Sequence, residues 1–265
     1  MVWAGALTPE GAKQAVERRD TSPVGWNAAR RARELISRYG RRDGAALVEP
    51  LLGELAGRIA VVSSFGAESA ALLHMVASID ATVPVIFVDT GKLFDETLRY
   101  REELTARLRL ADVRVVRPEL AVLAHADPGG DLWRRDPDRC CHLRKVEPYM
   151  RAVAEFDAVI TGRKRFQATT RARLPTIEVE RGLVKINPLA RWTVSQVDDY
   201  YARHRLTRHP LYDNGFLSIG CIPCTRTTDP SGDRRSGRWA GSEKTECGIH
   251  SSGLATARIG PEPGP

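Results

Sequence analysis

Four short β-branched apolar runs, each closed by small or polar turn residues, limit what this chain can fold into. They are Ile59-Ala60-Val61-Val62, Pro84-Val85-Ile86-Phe87-Val88, residues 113–116 and Ala158-Val159-Ile160. Runs this short carry little periodicity. Their branching and the Ser-Ser, Asp-Thr-Gly and Thr-Gly residues after three of them read as buried strands. Segments of helical character, at 68–76 and 94–108, separate them. Strands that alternate with helices build right-handed βαβ units, so the expectation is an α/β fold with a parallel sheet flanked by helices. In such sheets ligands bind beyond the carboxyl ends of the strands. Residues 63–66, 89–91 and 161–162 all fall there, which makes those ends the expected site.

The organisation around this core is read as an N-terminal helical segment (1–57), an α/β domain (58–250) and a flexible Gly- and Pro-rich tail (251–265). Helices are expected at 26–39, 45–55 and 194–204, and the stretch from Gly220 onward looks irregular. No run of about 18 apolar residues occurs, so no membrane association is expected, and the first residues lack a secretory leader. The expected compartment is therefore the cytoplasm. Lys and Arg (40) exceed Asp and Glu (33), giving a formal charge of +7. That excess favours an anionic partner, and without a single-sign tail it points to a small anion rather than nucleic acid.

Three groups of residues carry chemistry. Ser63-Ser64-Phe65-Gly66-Ala67-Glu68-Ser69 lies between a strand and a helix, where backbone N–H groups, hydroxyls and a close-approach glycine can hold a phosphate. It lacks the Gly-Lys-Ser/Thr element of a Walker loop, and a plain βα turn capping its helix would look the same. The second group is the five cysteines, which in a reducing compartment point to metal or redox chemistry rather than disulfides. Cys221-Ile222-Pro223-Cys224 spaces two thiolates for one metal, whereas Cys140 and Cys141 are adjacent, an awkward spacing for a zinc ribbon. Four thiolates suit tetrahedral zinc and a 4Fe–4S cluster alike. Cys247 stands alone in Lys244-Thr245-Glu246-Cys247-Gly248-Ile249-His250, where Lys244 and His250 favour thiolate, although an unremarkable surface cysteine would read identically. The third group is arginine-rich: Gly162-Arg163-Lys164-Arg165 at a strand end, and Asp233-Arg234-Arg235-Ser236-Gly237-Arg238 between the C-x-x-C and Cys247. Guanidinium forks match phosphate and sulfate oxygens.

Taken in order, these segments resemble the assimilatory adenylyl-sulfate and phosphoadenylyl-sulfate reductases. The resemblance includes Asp89-Thr90-Gly91-Lys92-Leu93-Phe94-Asp95-Glu96-Thr97, Asn187-Pro188-Leu189-Ala190-Arg191-Trp192-Thr193 and His209-Pro210-Leu211-Tyr212-Asp213, and spans residues 59–250. An ordered set is far more specific than any one motif. The family implies an adenine-nucleotide hydrolase-like (PP-loop type) fold. It implies reduction of adenylyl sulfate to sulfite and AMP in sulfate assimilation and cysteine biosynthesis. Cys247 would be the nucleophile and form an S-sulfocysteine, and thioredoxin or glutaredoxin would be the reductant. By the same resemblance Cys140, Cys141, Cys221 and Cys224 would ligate a 4Fe–4S cluster. Lys145 would lie between the cluster and the sulfate, and Arg235 and Arg238 would contact the phosphosulfate. Ser63, Ser64, Gly66, Gly162, Arg165 and Arg171 would complete the substrate site, and a homo-oligomer is compatible with all of this. Arg163 and Lys164 receive no role. Members that keep both cysteine pairs resemble the adenylyl-sulfate users, which favours that nucleotide over its 3′-phosphorylated relative.

Two other readings compete. A PP-loop tRNA thiolation enzyme shares the fold type, but its Ser-Gly-Gly-x-Asp-Ser loop is replaced here by one with Phe65 before Gly66 and Glu68 in the Asp position. A zinc-stabilised nucleic-acid-binding module suits the charge but leaves Cys247 and its segment unexplained.

Overall fold

The apolar runs become strands of a six-stranded sheet in the computed structural model, which describes residues 27–229 and 232–250. Two helices lead in, α1 (Ala28–Tyr39) and α2 (Gly44–Glu54). There follow β1 (Ile59–Val62), α3 (Ser69–Ala77), β2 (Val85–Val88), α4 (Asp95–Leu108), β3 (Val113–Val116), α5 (Leu120–Ala126), α6 (Leu132–Arg135) and α7 (Pro137–Cys141). A π-helical turn, His142–Val146, joins α7 to α8 (Glu147–Ala152); β4 (Ala158–Thr161), β5 (Ile177–Glu180), β6 (Leu183–Ile186) and α9 (Val194–Arg203) complete the order. The tail expected at 251–265 and the first 26 residues of the N-terminal segment lie outside the described residues.

The strand order is β3-β2-β1-β4-β6-β5, parallel except for β5. Val61 in β1 pairs with Val85 on one side and Ile160 on the other. The chain builds outward from β1 to β3 and then crosses back to lay β4 on the far side of β1. The crevice beyond β1 and β4 is therefore the topological switch point, where an open sheet receives its ligand.

The β5–β6 hairpin is not evident from the apolar runs. Its turn, Arg181-Gly182, has φ of 52° and 72°, the left-handed pair that a two-residue hairpin requires.

Helices cover both faces. On one, α1 and α2 share a hydrophobic cluster with α3, α9 and the strands. Leu35, Leu47, Val48 and Leu51 are fully buried there, each stabilising by on the order of 1.5–3 kcal/mol. Asn27 caps α1 by accepting from Arg30 N–H at 2.8 Å, and Thr193 with Gln196 forms a reciprocal cap at the start of α9. On the other face Tyr149 and Val153 pack on Val159 and Leu183.

The π turn has an identifiable cause. Glu147 N–H reaches back five residues to His142 O, and Pro148, next along, has no N–H to offer Arg144 O and would clash with it in a regular helix. Among the described residues no helix is long and apolar enough to cross a membrane.

Candidate active-site cleft

The loop after β1 departs from ordinary backbone. Phe65 has φ of 47°, which costs a non-glycine residue about 1–2 kcal/mol, offset by its complete burial edge-on against Phe87 at 5.4 Å. Ser63 Oγ accepts from Phe65 N–H at 3.1 Å. The turn presents Ser64 and Gly66 to a cleft at the switch point, whose opposite wall is Gly162 and its neighbours after β4. Glu68 sits at the base, where it pairs with Lys164 (3.0 Å) and Arg234 (3.0 Å) and accepts from Gln167 (3.1 Å). Burial opposes its ionisation, but Lys164 and Arg234 hold its carboxyl below the usual range.

Cations line the rest. Lys145, on the π turn, is buried, and burial alone would lower its pKa. Negative charge on the sulfurs of Cys221 and Cys247 outweighs that and holds it raised. Trp239 lies among four charges: its ring centre is 4.5 Å from Arg238, 5.7 Å from Arg235 and Lys244, and 5.9 Å from Lys145. Burial first, and then Arg171 and Arg238, push Arg235 down to about 10, still charged at neutral pH.

Residues 244–250 run along the cleft as a strap. Lys244 pairs with Asp138, Glu246 with Arg171 and Arg235, and Lys185 donates to Ile249 O at 2.9 Å while meeting His250 Nδ1 at 3.2 Å. Ile249 packs against the Tyr149–Val153 cluster. Gly248 has φ of 87°, and a Cβ there would lie 3.2 Å from Val146 Cγ2, so the strap backbone rests directly on the π turn. The strap thereby brings Cys247 to the cleft wall that Lys145 also lines. Burial, reinforced by Arg163, Lys185, Arg171 and Arg235, holds His250 well below its usual pKa, so its imidazole is neutral.

The four paired cysteines border a second, smaller cavity together with Lys92, Trp133, Arg144 and Lys145. Cys140 and Cys141 reach it from the end of α7, Cys221 and Cys224 from a tight turn anchored to the β2 loop by Ile222 N–H to Lys92 O at 2.8 Å. Thr90 Oγ1 is 3.2 Å from Cys221 Sγ. Arg144 pins the π turn with bonds to Asp127 (2.7 Å) and Thr90 O (3.0 Å). Among the described residues, no three His, Cys, Asp or Glu side chains are already grouped as metal ligands.

A nucleotide-type cleft at a switch point, flanked by a cysteine-lined cavity, agrees with the family comparison. The model of the phosphoadenosine phosphosulfate reductase domain matches residues 58–227, which run from β1 through the second cysteine pair.

The chain belongs to the phosphoadenosine phosphosulfate reductase family.

Within that family it is 54% identical over 227 residues to a protein of Mesorhizobium japonicum named adenosine 5′-phosphosulfate reductase, covering 85% of this chain and 89% of that one. A Chelativorans protein of the same name is 50% identical over 234 residues, 88% and 96% of the two chains. Among solved structures, a phosphoadenylyl-sulfate reductase from Candida auris, in a phosphate complex, superposes with a TM-score of 0.55 at 25% identity, over 85% of this chain and 100% of that one.

Of the expected substrate residues in this reductase-family cleft, Ser63, Ser64, Gly66, Lys145, Gly162, Arg171, Arg235 and Arg238 line it, as does Cys247. Arg165 does not: its Nε donates to Leu174 O at 2.9 Å, turned away from the wall. Arg163 and Lys164, to which the sequence lent no role, do line it. Arg163 bonds Glu178 and Asn187, and Lys164 is fully buried against Glu68. Glu246, Gln167 and Trp239 also belong to the cleft. Glu246 carried a signal in the sequence, its place beside Cys247, and Trp239 another, its place beside Arg238 in the segment Gly237-Arg238-Trp239.

Proposed function

We propose that this chain reduces adenylyl sulfate to sulfite and AMP through a covalent intermediate on Cys247, drawing its two electrons from a thioredoxin- or glutaredoxin-type dithiol in the cytoplasm. The observation that carries the reading is the convergence of Cys247, Lys145, Arg235 and Arg238 on one cleft at the switch point of a reductase-family sheet. Relatives named for adenylyl sulfate and the retention of both cysteine pairs favour that nucleotide over the 3′-phosphorylated one.

The Cys247 thiolate attacks the substrate's sulfur. An S–S bond forms, the bond from sulfur to the bridging phosphate oxygen breaks, and AMP departs with the electron pair. Lys145, Arg235 and Arg238 are fixed cations where that charge develops, and preorganised charge of this kind lowers the barrier. The dithiol then attacks Cys247 Sγ, sulfite leaves, and the second thiol resolves the mixed disulfide, so the dithiol ends oxidised and Cys247 returns to thiolate. This is nucleophilic catalysis that divides one reduction into displacements.

Cys140, Cys141, Cys221 and Cys224 would hold a 4Fe–4S cluster. Their thiols border one cavity, and four cysteine thiolates are the ligand set such a cluster takes. When bound, such a cluster would supply a charged neighbour for Lys145 without itself having to change oxidation state. Lys145 orients the sulfate from the π turn, and Thr90 and Arg144 hold the loops on either side of it.

Incubation with adenylyl sulfate and no reductant should add one sulfo group to Cys247, read by peptide mass spectrometry, and Cys247→Ser should release no sulfite while still binding AMP. An adduct on any other residue overturns the assignment. A steady-state comparison of both nucleotides with thioredoxin tests the substrate.

A further inference from the structure

We infer that Glu246 is a positioning residue that serves as the resident counter-anion of the cleft: its carboxylate occupies Arg171 and Arg235 in the absence of substrate, and so couples the place of Cys247 to the state of the anion site. The inference rests on the proposed function above. Glu246 Oε1 accepts from Arg171 Nε at 2.6 Å, and Oε2 accepts from Arg171 Nη2 at 2.9 Å and from Arg235 Nη2 at 3.1 Å. The fork on Arg171 fixes direction as well as distance, because two parallel bonds leave the carboxylate one orientation. Arg235 also donates to Thr245 O at 2.9 Å, so one guanidinium grips the strap by side chain and backbone together. Burial disfavours the charged carboxylate, yet Arg171 and Arg235 keep it ionised.

The partners of the remaining cleft cations sharpen the point. Arg163 is held by Glu178 of β5 and Lys164 by Glu68 at the base of the cleft. Among the described residues Lys145 and Arg238 have no carboxylate at ion-pair distance, and Arg238 Nε donates instead to Cys224 O at 3.3 Å, so both charges remain available to an incoming anion. Arg235, which like Arg238 lies over the Trp239 ring, is engaged with Arg171 by a carboxylate carried on the strap itself. A phosphosulfate that reaches Lys145 and Arg238 must therefore compete with Glu246 for Arg235. Glu246 is the residue next to Cys247, so that competition is transmitted to the thiol through one peptide unit.

A plain tether and a counter-anion differ in sign. If Glu246 only held the fold together, its loss would weaken nucleotide binding and slow the reaction alike. As a counter-anion it opposes the ligand's charge while it positions the thiol, so its neutralisation should tighten binding and slow chemistry. The test uses full-length enzyme with its cluster. AMP affinity is measured by calorimetry, and S-sulfocysteine formation by single-turnover mass spectrometry. Glu246→Gln should bind AMP about three- to tenfold tighter, the scale of removing one nearby like charge. The same change should slow sulfo transfer about ten- to a hundredfold, the scale of a misplaced reacting group. Glu246→Asp should keep wild-type AMP affinity and recover part of the rate. Arg171→Lys keeps the cation but loses the fork, and should slow transfer without the gain in affinity. AMP bound no tighter by Glu246→Gln, or an unchanged transfer rate, overturns the inference. A wild-type adduct away from Cys247 would instead sink the proposed function, and the AMP measurements would still decide the counter-anion role.

Discussion

Gly248→Ala isolates how firmly the strap is docked. At φ of 87° alanine is in left-handed backbone, which costs about 1–2 kcal/mol. Its Cβ would also press on Val146 Cγ2 at 3.2 Å, tighter than ordinary contact in a close-packed interior. Together these weaken docking by about 2 kcal/mol, a shift of about 30-fold toward the released strap. The strap's other holds are local ion pairs, hydrogen bonds from Lys185 and Arg235 to its backbone, the Lys185–His250 contact and the Ile249 side chain, so the loss should appear at Cys247 and not in global stability. Labelling of Cys247 by N-ethylmaleimide, followed by peptide mass spectrometry, should accelerate by about 10- to 30-fold, in proportion to the released population. The thermal midpoint should stay within about 2 °C. Adding Val146→Ala should recover only the contact part, because the dihedral cost remains. An unchanged labelling rate would refute the strain estimate. A midpoint lowered in step with labelling would show that the strap unfolds with the whole domain and not alone.

Cys224→Ser should lose iron and acid-labile sulfide together, and retention of full iron content would rule out four-cysteine ligation. Lys145→Gln should keep its iron but slow S-sulfocysteine formation by about one to three orders of magnitude, the scale of lost charge stabilisation, and an unchanged rate would remove Lys145 from the mechanism. His209 is buried, with Nδ1 accepting from Leu211 N–H at 3.1 Å and Nε2 2.9 Å from Thr97 Oγ1; burial pushes its pKa down from 6.5 to about 4. The unfolded chain therefore takes up this proton first, and stability should fall as pH drops from 6.5 toward 4, by up to about 3 kcal/mol. Urea unfolding across that range should show the slope in wild type and a flatter one in His209→Asn; equal slopes would exclude His209 as the source.

β1, β2 and β4 announced themselves because strands buried on both faces tolerate little but apolar residues, and β3, a half-buried edge strand, did so by its three valines. β5 escaped notice for the opposite reason, and β6, though buried, is interrupted by Lys185. Ile177-Glu178-Val179-Glu180 alternates apolar and acidic residues at an edge, and the informative pair was the turn, Arg181-Gly182. The helix through Cys140 to Ala152 went unread in the sequence: Pro137 sits at its start, whereas Pro148 lies within it and is accommodated by the π turn. For the cleft, strand ends named the right loops because topology dictates where they meet. What sequence could not supply was the pairing of charges. Arg171 and Glu246 are 75 residues apart, and only the closed sheet makes them neighbours. Arg165 and Arg163 illustrate the same limit: two arginines in one strand-end loop, of which the fold turns only Arg163 into the cleft.

The π turn also sets a phase. One residue in an α-helix is worth about 100° of rotation, and a widened turn absorbs the mismatch between two faces that a regular helix could not serve together. Upstream, Cys140 and Cys141 must look into their cavity; downstream, Tyr149 must look into the sheet. Deleting a single residue between them would leave the helix shorter by only about 1.5 Å, but it would rotate one face away from its target. Length variation in this helix is thus closed to the chain in a way that length variation in its loops is not. Lys145, seated within the widened turn, inherits its direction from that constraint.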